Sequence, residues 1–298
     1  MKILVIGNPI SGKGNAKRQI CEFVRVLERR GHHVEVFMTS SAGEALRRAR
    51  SINSGTEALV AAGGDGTVNE ILNGLSDPSA IPILHLPVGT ANQLAMTLGL
   101  PHDPEKLAAI LEAKLIRCVD LGVAGSRRFL MVLSAGFDAR VAEEINRHRG
   151  IRLGYSGYVF PILKTAAGHR PAKLEVVVDD HRKIVGSEVM VLKVRLYGGL
   201  LVFADDARLD SGHFHVCVFR EGTLSGLFLY ASAGLMRMAS HIPGIVRTIG
   251  RRVRIRSEEP VPVELDGESF GTTPLDIRLE PSVVPLIVPA VQDQPPSV

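Results

Sequence analysis

The sequence predicts an open α/β (Rossmann-like) domain followed by an antiparallel β-sandwich. Three observations carry this expectation. Strand-like and helix-like runs alternate through the first part of the chain. The remainder breaks into short β-rich runs separated by turn residues. The length, 298 residues, suits two domains of about 150 residues each.

Taken in order, Lys2 to Gly7 (KILVIG) is a continuous apolar run, as in a parallel strand covered on both faces. Ile20, Phe23, Val24 and Leu27 recur at helical spacing, and Gly31 stops that helix. Residues 34–38 read as a strand and 42–50 as a helix with an Arg-rich exposed side. A short buried strand over 58–62 runs into Gly63-Gly64-Asp65-Gly66, and another over 81–86 ends at Pro87. This order puts ligands at the carboxyl ends of the strands. The domain boundary is expected at 119/120, with the second domain over 120–290 and a disordered tail over 291–298. Strands in the second domain are expected at 129–134, 174–178, 189–194, 213–219, 253–256, 261–265, 276–279 and 283–288. Helices are expected near 138–148 and 223–240. In the latter, Leu224, Leu227, Phe228, Leu235 and Met238 read most simply as core, with an acyl groove or bilayer contact as the alternative.

Composition excludes several classes. Hydrophobic residues at 45% and charged residues at 22% exclude a disordered chain. A net charge of +4 with 10 Phe, 4 Tyr and no Trp argues against a nucleic-acid partner, since single strands need rings to stack on. Mild attraction to phosphates or anionic lipid remains. Two basic clusters, Arg147, Arg149 and Arg152, and Arg251, Arg252, Arg254 and Arg256, are by default solvated surface; headgroup contact is the alternative. Cys21, Cys118 and Cys217 form no CxxC pair, so buried reduced thiols are expected rather than a zinc cage or disulfides. The N-terminus lacks a signal peptide, and Arg237, His241 and Pro243 interrupt the most apolar later stretch. A cytoplasmic protein is the expectation.

Three turns suit phosphate. In Gly63-Gly64-Asp65-Gly66-Thr67-Val68-Asn69-Glu70, glycines let backbone N–H groups approach phosphate oxygens at the start of a helix. Thr67 and Glu70 stand at capping-box spacing, which predicts where that helix begins. Asp65 beside bound phosphates implies a bridging cation, hence Mg²⁺ with a nucleotide. Pro87-Val88-Gly89-Thr90-Ala91-Asn92 repeats the arrangement, with Thr90 as helix cap or phosphate donor. Gly7-Asn8-Pro9-Ile10-Ser11-Gly12-Lys13-Gly14 has Walker A spacing, but Gly14 stands where Ser or Thr should hold Mg²⁺. That excludes a P-loop NTPase.

Gly63-Gly64-Asp65-Gly66-Thr67 with Asn69-Glu70, Asn8-Pro9-x-Ser11-Gly12 and Pro87-x-Gly89-Thr90-x-Asn92 together resemble the diacylglycerol kinase catalytic domain, in its bacterial soluble lipid kinase branch. The resemblance runs past Ala135-Gly136-Phe137-Asp138 to Asp266-Gly267-Glu268. The GGDGT element alone is shared with NAD kinases and echoed in phosphofructokinases; the 87–92 element points to the lipid branch. The resemblance implies an NAD kinase-like two-domain fold with the active site between the domains. ATP would lie across Asn8, Pro9, Ile10, Ser11 and Gly12, Thr39, the Gly63–Asn69 loop with Glu70, and Gly89, Thr90 and Asn92. Asp65 would serve the metal–nucleotide. Glu268 or Asp266 would be the base accepting the acceptor's proton; a hairpin turn is the plain alternative for that segment.

The resemblance further implies ATP and Mg²⁺ as cofactors and a lipid hydroxyl, by default that of diacylglycerol, as acceptor at a membrane surface contacted peripherally. It leaves a homodimer open. An NAD kinase-like enzyme and a nucleotide-dependent lipid sensor with little turnover are the alternatives. The sequence departs from the family in two places. Ser211 replaces the Asp that holds a structural Mg²⁺ in bacterial relatives, so that site is either empty or shifted to Asp210. No Asn precedes the glycines in Arg195-Leu196-Tyr197-Gly198-Gly199.

Overall fold

The computed structural model describes residues 1–12, 14–147 and 159–290. The tail over 291–298, and Arg149 and Arg152 of the first basic cluster, lie outside the described residues. The chain forms two compact units, Met1–Val119 with Ser282–Val298, and Asp120–Pro281.

The first unit contains, in chain order, β1 (Lys2–Gly7), α1 (Ala16–Arg29), β2 (His33–Met38), α2 (Glu44–Arg50), β3 (Ala58–Gly63), α3 (Asp65–Gly74), β4 (Ile83–Pro87), α4 (Gln93–Leu98) and α5 (Pro104–Ala113), after which β5 (Ile116–Ala124) leads out. Strands run parallel in the order β2-β1-β3-β4. β3 and β4 are buried along their whole length because helices cover both faces, which is why they read as unbroken apolar runs. α1 turns Ala16, Ile20, Phe23, Val24, Val26 and Leu27 inward, as its spacing predicts. Register matters most here. Gly7 pairs with both Met38 and Ala62, and Gly63 pairs with Pro87, so four strands end at one level.

The second unit continues with β6 (Arg127–Phe129), β7 (Val132–Ala135), α6 (Phe137–Arg147), α7 (Val159–Ala167), β8 (Leu174–Val178), β9 (Arg182–Gly186), β10 (Glu188–Leu192), β11 (Leu196–Tyr197), β12 (Leu201–Val202), β13 (Phe214–Phe219), α8 (Leu224–Leu235), β14 (Ile245–Gly250), β15 (Arg252–Ser257), β16 (Pro262–Leu265), β17 (Glu268–Thr272) and β18 (Leu275–Ile287). One antiparallel sheet has the order β14-β13-β10-β7-β16-β17. Alternate residues of that sheet, among them Leu133, Val191, Phe214 and Val263, share one core with Leu174, Val176, Val253 and Ile277 from the other layer. α6 covers the opposite face at β7, β16 and β17.

Four expectations need correction. The strand expected over 129–134 is two strands, because the Asp266 carboxylate takes the N–H groups of Leu130, Met131 and Val132 and breaks the ladder there. The strands expected at 276–279 and 283–288 are one, β18, which passes Ser282 at φ 52 without turning back. Of the three free cysteines only Cys217 is buried, and Cys118 is exposed. The largest correction concerns α8. Leu224, Phe228, Leu235 and Met238 are 48%, 76%, 61% and 49% exposed, and the buried face is Gly226, Tyr230, Ala233 and Gly234.

Candidate active site

The common level of the strand ends in the first unit gathers the three glycine turns. Asn8 N–H donates to Ala62 O (2.9 Å), and its side-chain oxygen accepts from Ile10 N–H (3.2 Å), which folds the first turn back on itself. Ser11 N–H closes onto Asn8 O, Pro9 is partly buried and Ile10 lies in the open at 83% exposure. The three turns touch at their glycines. A Cβ on Gly12 (φ +63) would overlap Val88 O, and one on Gly89 would overlap the Gly64 Cα and stand 2.7 Å from Asn92 Oδ1. A Cβ on Gly64 would have Gly89 Cα at 3.4 Å and Ser11 Oγ at 3.8 Å. Backbone approach requires glycine at positions 12 and 89, whereas a Cβ on Gly64 would make ordinary contacts.

Asp65 ties two of the turns together. Its carboxylate accepts from Gln93 N–H (2.9 Å) and Leu94 N–H (3.0 Å), so it caps α4 from a position 28 residues earlier in the chain. Asn92 clasps its own turn, accepting from Gly89 N–H and donating to Gly89 O. Thr90 is exposed and does not cap α4, which corrects that reading; Asp65 has taken the cap. The capping box is also corrected. α3 begins at Asp65 with Gly64 as its uncapped N-cap, and Glu70 accepts instead from Gly43 N–H (3.0 Å) at the start of α2. The first-turn N–H groups of α3 are therefore not spent on a side-chain cap.

The remaining predicted nucleotide residues divide by orientation. Thr39, buried just beyond β2, donates from both N–H and hydroxyl to Gly7 O. The Thr67 side chain fills the space a Cβ on Gly63 would need. Val68 packs into the core, and buried Asn69 accepts from Asn73 (3.0 Å) within α3. His85 escaped the sequence reading. It is 2% exposed, and its Nε2 lies 3.1 Å from Gly63 O, steadying the Gly63-Gly64 turn from beneath. Burial, opposed by the charge of Asp65, lowers its pKa and favours the neutral ring.

In the second unit, Asp266 and Gly267 form a two-residue hairpin turn with φ 48 and 85, the conformation Asp-Gly favours. The Asp266 carboxylate accepts from Leu130, Met131 and Val132 N–H at 2.7–2.9 Å. Gly267 N–H donates to Glu264 Oε2 (2.6 Å). Glu268, half-buried, opens β17 immediately after the turn.

Beside this turn, under α6, lies an acidic cluster. Ser134 and Tyr197 each donate to Asp138 (both 2.6 Å), and Asp138 N–H donates to Glu188 (3.2 Å). Glu264 pairs with Ser134 across β16 and β7. Burial raises the pKa of Asp138, against the lowering effect of the Ser134 and Tyr197 hydrogen bonds. Burial, reinforced by the Asp138 charge, pushes Glu188 up to about 8 and Glu264 well above the usual range. Of these carboxylates only Asp138 lay in a motif legible in the sequence. Glu188 and Glu264 each sit beside an apolar strand run, and a carboxylate at such a position was the available signal.

Glu188 holds a proton when folded that it loses when unfolded at neutral pH. Its stabilisation is full below about 4.5 and lost as pH rises through about 8. Melting temperature is therefore expected to fall between pH 5 and 8.5. Glu188→Gln should flatten that fall, removing on the order of a few kcal/mol of pH-dependent stability across the range. An unchanged slope in differential scanning calorimetry contradicts the assignment.

Residues 2–124 match the diacylglycerol kinase catalytic domain, and residues 131–288 match the YegS C-terminal NAD kinase beta sandwich-like domain. The chain belongs to the diacylglycerol kinase catalytic domain family. It is 28% identical to a diacylglycerol kinase of Bacillus subtilis, over 91% of this chain and 90% of that one. It is 29% identical to one of Staphylococcus carnosus, over 91% and 89%. A Bacillus anthracis crystal structure described as a diacylglycerol kinase shares the fold at TM-score 0.72 and 21% identity, covering 97% of both chains. Membership in the family makes the chain a lipid kinase.

The structural Mg²⁺ that the resemblance implies does not fit here. The Ser211 hydroxyl is turned toward Arg208 O and His213 O (3.0 and 2.9 Å), and Asp210 is ion-paired to Arg208. The positive charge at this point is an ammonium group. Lys193, fully buried, donates to Asp120 O and approaches Leu130 O at 3.4 Å, while Asp120 accepts from Gly212 N–H. Burial lowers its pKa to about 8, against the pull of Asp120, Asp266 and Asp210, which leaves it protonated at neutral pH. For a nucleotide-borne Mg²⁺ the case differs. Such an ion keeps phosphate and water ligands and needs only one or two carboxylates, and Asp65 stands at the glycine turns to provide one. Among the described residues no group of three His, Cys, Asp or Glu side chains is arranged as a metal cage.

Proposed function

We propose that this lipid kinase transfers the γ-phosphoryl group of ATP to the hydroxyl of diacylglycerol, giving phosphatidic acid. The observation that carries the nucleotide half is the convergence of three glycine turns at one sheet edge, with Asp65 fastening two of them. The acceptor class is taken from the relatives' names. Bound Mg·ATP supplies the transferable phosphoryl group and screens its charge. The chain's own contribution is positional and electrostatic. Backbone N–H groups at the start of α3 would face phosphate oxygens, and the glycine turns would let them come close. Asp65 and Asn92 hold the 87–92 turn in register with the Gly63–Gly66 turn, and Asp65 would present its charge to the metal.

Glu268 is the general base in this reading. A lipid hydroxyl has a high pKa, so its proton must leave as the new P–O bond forms, and a carboxylate within reach accepts it. Asp266 is less suited, because its oxygens already accept three backbone N–H groups; it shapes the turn that presents Glu268. The deciding experiment is a thin-layer assay of purified protein with γ-labelled ATP against vesicle-borne diacylglycerol, ceramide, a sphingoid base and phosphatidylglycerol. Labelled phosphatidic acid with matching ADP release is expected. Phosphorylation of NAD without lipid, or ATP binding with no acceptor-dependent ADP release, overturns the proposal.

A further inference from the structure

The amphipathicity of α8 is inverted. Its inward face is small, with Gly226, Ala233 and Gly234 beside Tyr230. A Cβ on Gly234 would stand 3.0 Å from the Phe203 ring and 3.3 Å from Leu201 Cβ, so close packing holds this face inward and keeps it small. Large apolar side chains point outward: Leu224, Phe228, Leu229, Leu235 and Met236 are 48%, 76%, 50%, 61% and 70% exposed. The helix contains no charged residue. Single exposed apolar side chains are ordinary, but a contiguous helix face of them marks a contact surface.

The charge around the helix selects the occupant. From Gly222 to Ser257 the chain has no Asp or Glu, yet it carries Arg237, Arg247, Arg251, Arg252, Arg254 and Arg256. Arg252 and Arg254 are drawn to Asp180, and Arg256 to Asp276. Arg237, exposed directly beyond the end of α8, has no ion pair among the described residues. A second copy seated on this face by two-fold symmetry would set Arg237 against a helix that carries no acid of its own. An anionic bilayer offers hydrocarbon for the helix face and phosphate for the arginine. At 12 residues α8 is too short to span a membrane and suits lying in the interface plane.

We propose that the outward face of α8 docks this enzyme on anionic lipid bilayers, with Phe228 and Leu235 entering the acyl boundary and Arg237 at headgroup level. The proposal rests on the reading of the chain as a kinase whose acceptor resides in a membrane, and it names the surface that reaches it. The test uses the full chain and two kinds of vesicle, phosphatidylcholine alone and phosphatidylcholine with 30 mol% phosphatidylglycerol. Wild-type protein should sediment with the anionic vesicles, and less so at high salt. Phe228→Glu/Leu235→Glu should lower the bound fraction at least tenfold. Arg237→Ala should lower binding about fivefold at low salt. Phosphorylation of short-chain diacylglycerol below its aggregation limit should be unchanged in all of them.

Because both glutamates enter exposed positions, melting temperature should hold; Phe228→Ala keeps the test readable if it does not. Wild-type sedimentation by the folded double variant overturns the docking face. So does an α8-dependent dimer whose disruption leaves vesicle binding intact, since the occupant is then a second copy. If no lipid, short-chain or vesicle-borne, is phosphorylated while binding still depends on α8, the docking face stands and the acceptor reading falls.

Discussion

Glu268→Gln is expected to lower phosphoryl transfer to lipid by about 10²–10⁴ in kcat, the usual cost of losing a general base, while nucleotide affinity stays near wild type. The glycine turns assigned to the nucleotide belong to the first unit, and Glu268 lies at the start of β17 in the second. Asp266→Asn should behave differently. An amide there replaces one acceptor oxygen with a donor group facing backbone N–H groups that now share a carboxylate. The expected loss is about 1–3 kcal/mol of stability, read as a lower melting temperature, with activity falling in proportion to folded protein. Only the Glu268 variant should recover rate with a more acidic acceptor hydroxyl. Near wild-type transfer by both variants means that the turn is structural and the base lies elsewhere.

Asp65→Asn is expected to cost about 10²–10³ in turnover, the scale of a lost electrostatic contact at a reacting phosphate. Two effects combine. The variant removes the negative charge presented to the metal–nucleotide, and it leaves one of the Gln93 and Leu94 N–H groups facing an amide NH₂. The first effect should raise the Mg²⁺ concentration needed for half-maximal rate. The second should loosen the 87–92 turn and weaken nucleotide binding in calorimetry even without metal. Wild-type turnover with an unaltered Mg²⁺ requirement would falsify both roles.

The sequence by itself determined the two-domain class, most of the strands and the three glycine turns. The signals for these are local. A parallel strand covered on both faces must be apolar throughout, and a backbone that approaches another backbone must be glycine. Gly12 and Gly89 are such points, each legible within a few residues.

Only the tertiary structure decided which partner each polar side chain takes. Thr67 and Glu70 had capping-box spacing, yet Glu70 binds Gly43, and Asp65 caps α4 across a separation that no local window contains. Asp266 was legible as a turn residue, but its hold on Leu130 to Val132, which divides an expected strand, depends on β16 lying beside β7. Lys193 could be seen as a charge in an apolar run, but not as the cation beside Asp120. For α8, periodicity located the large apolar face and could not say which face turns inward. Close approach by Phe203 and Leu201 decided that, because Gly234 leaves room for such neighbours where a larger side chain would not. Hydrophobicity follows from composition along the chain, whereas the space available at a packing face is set by the elements that meet there.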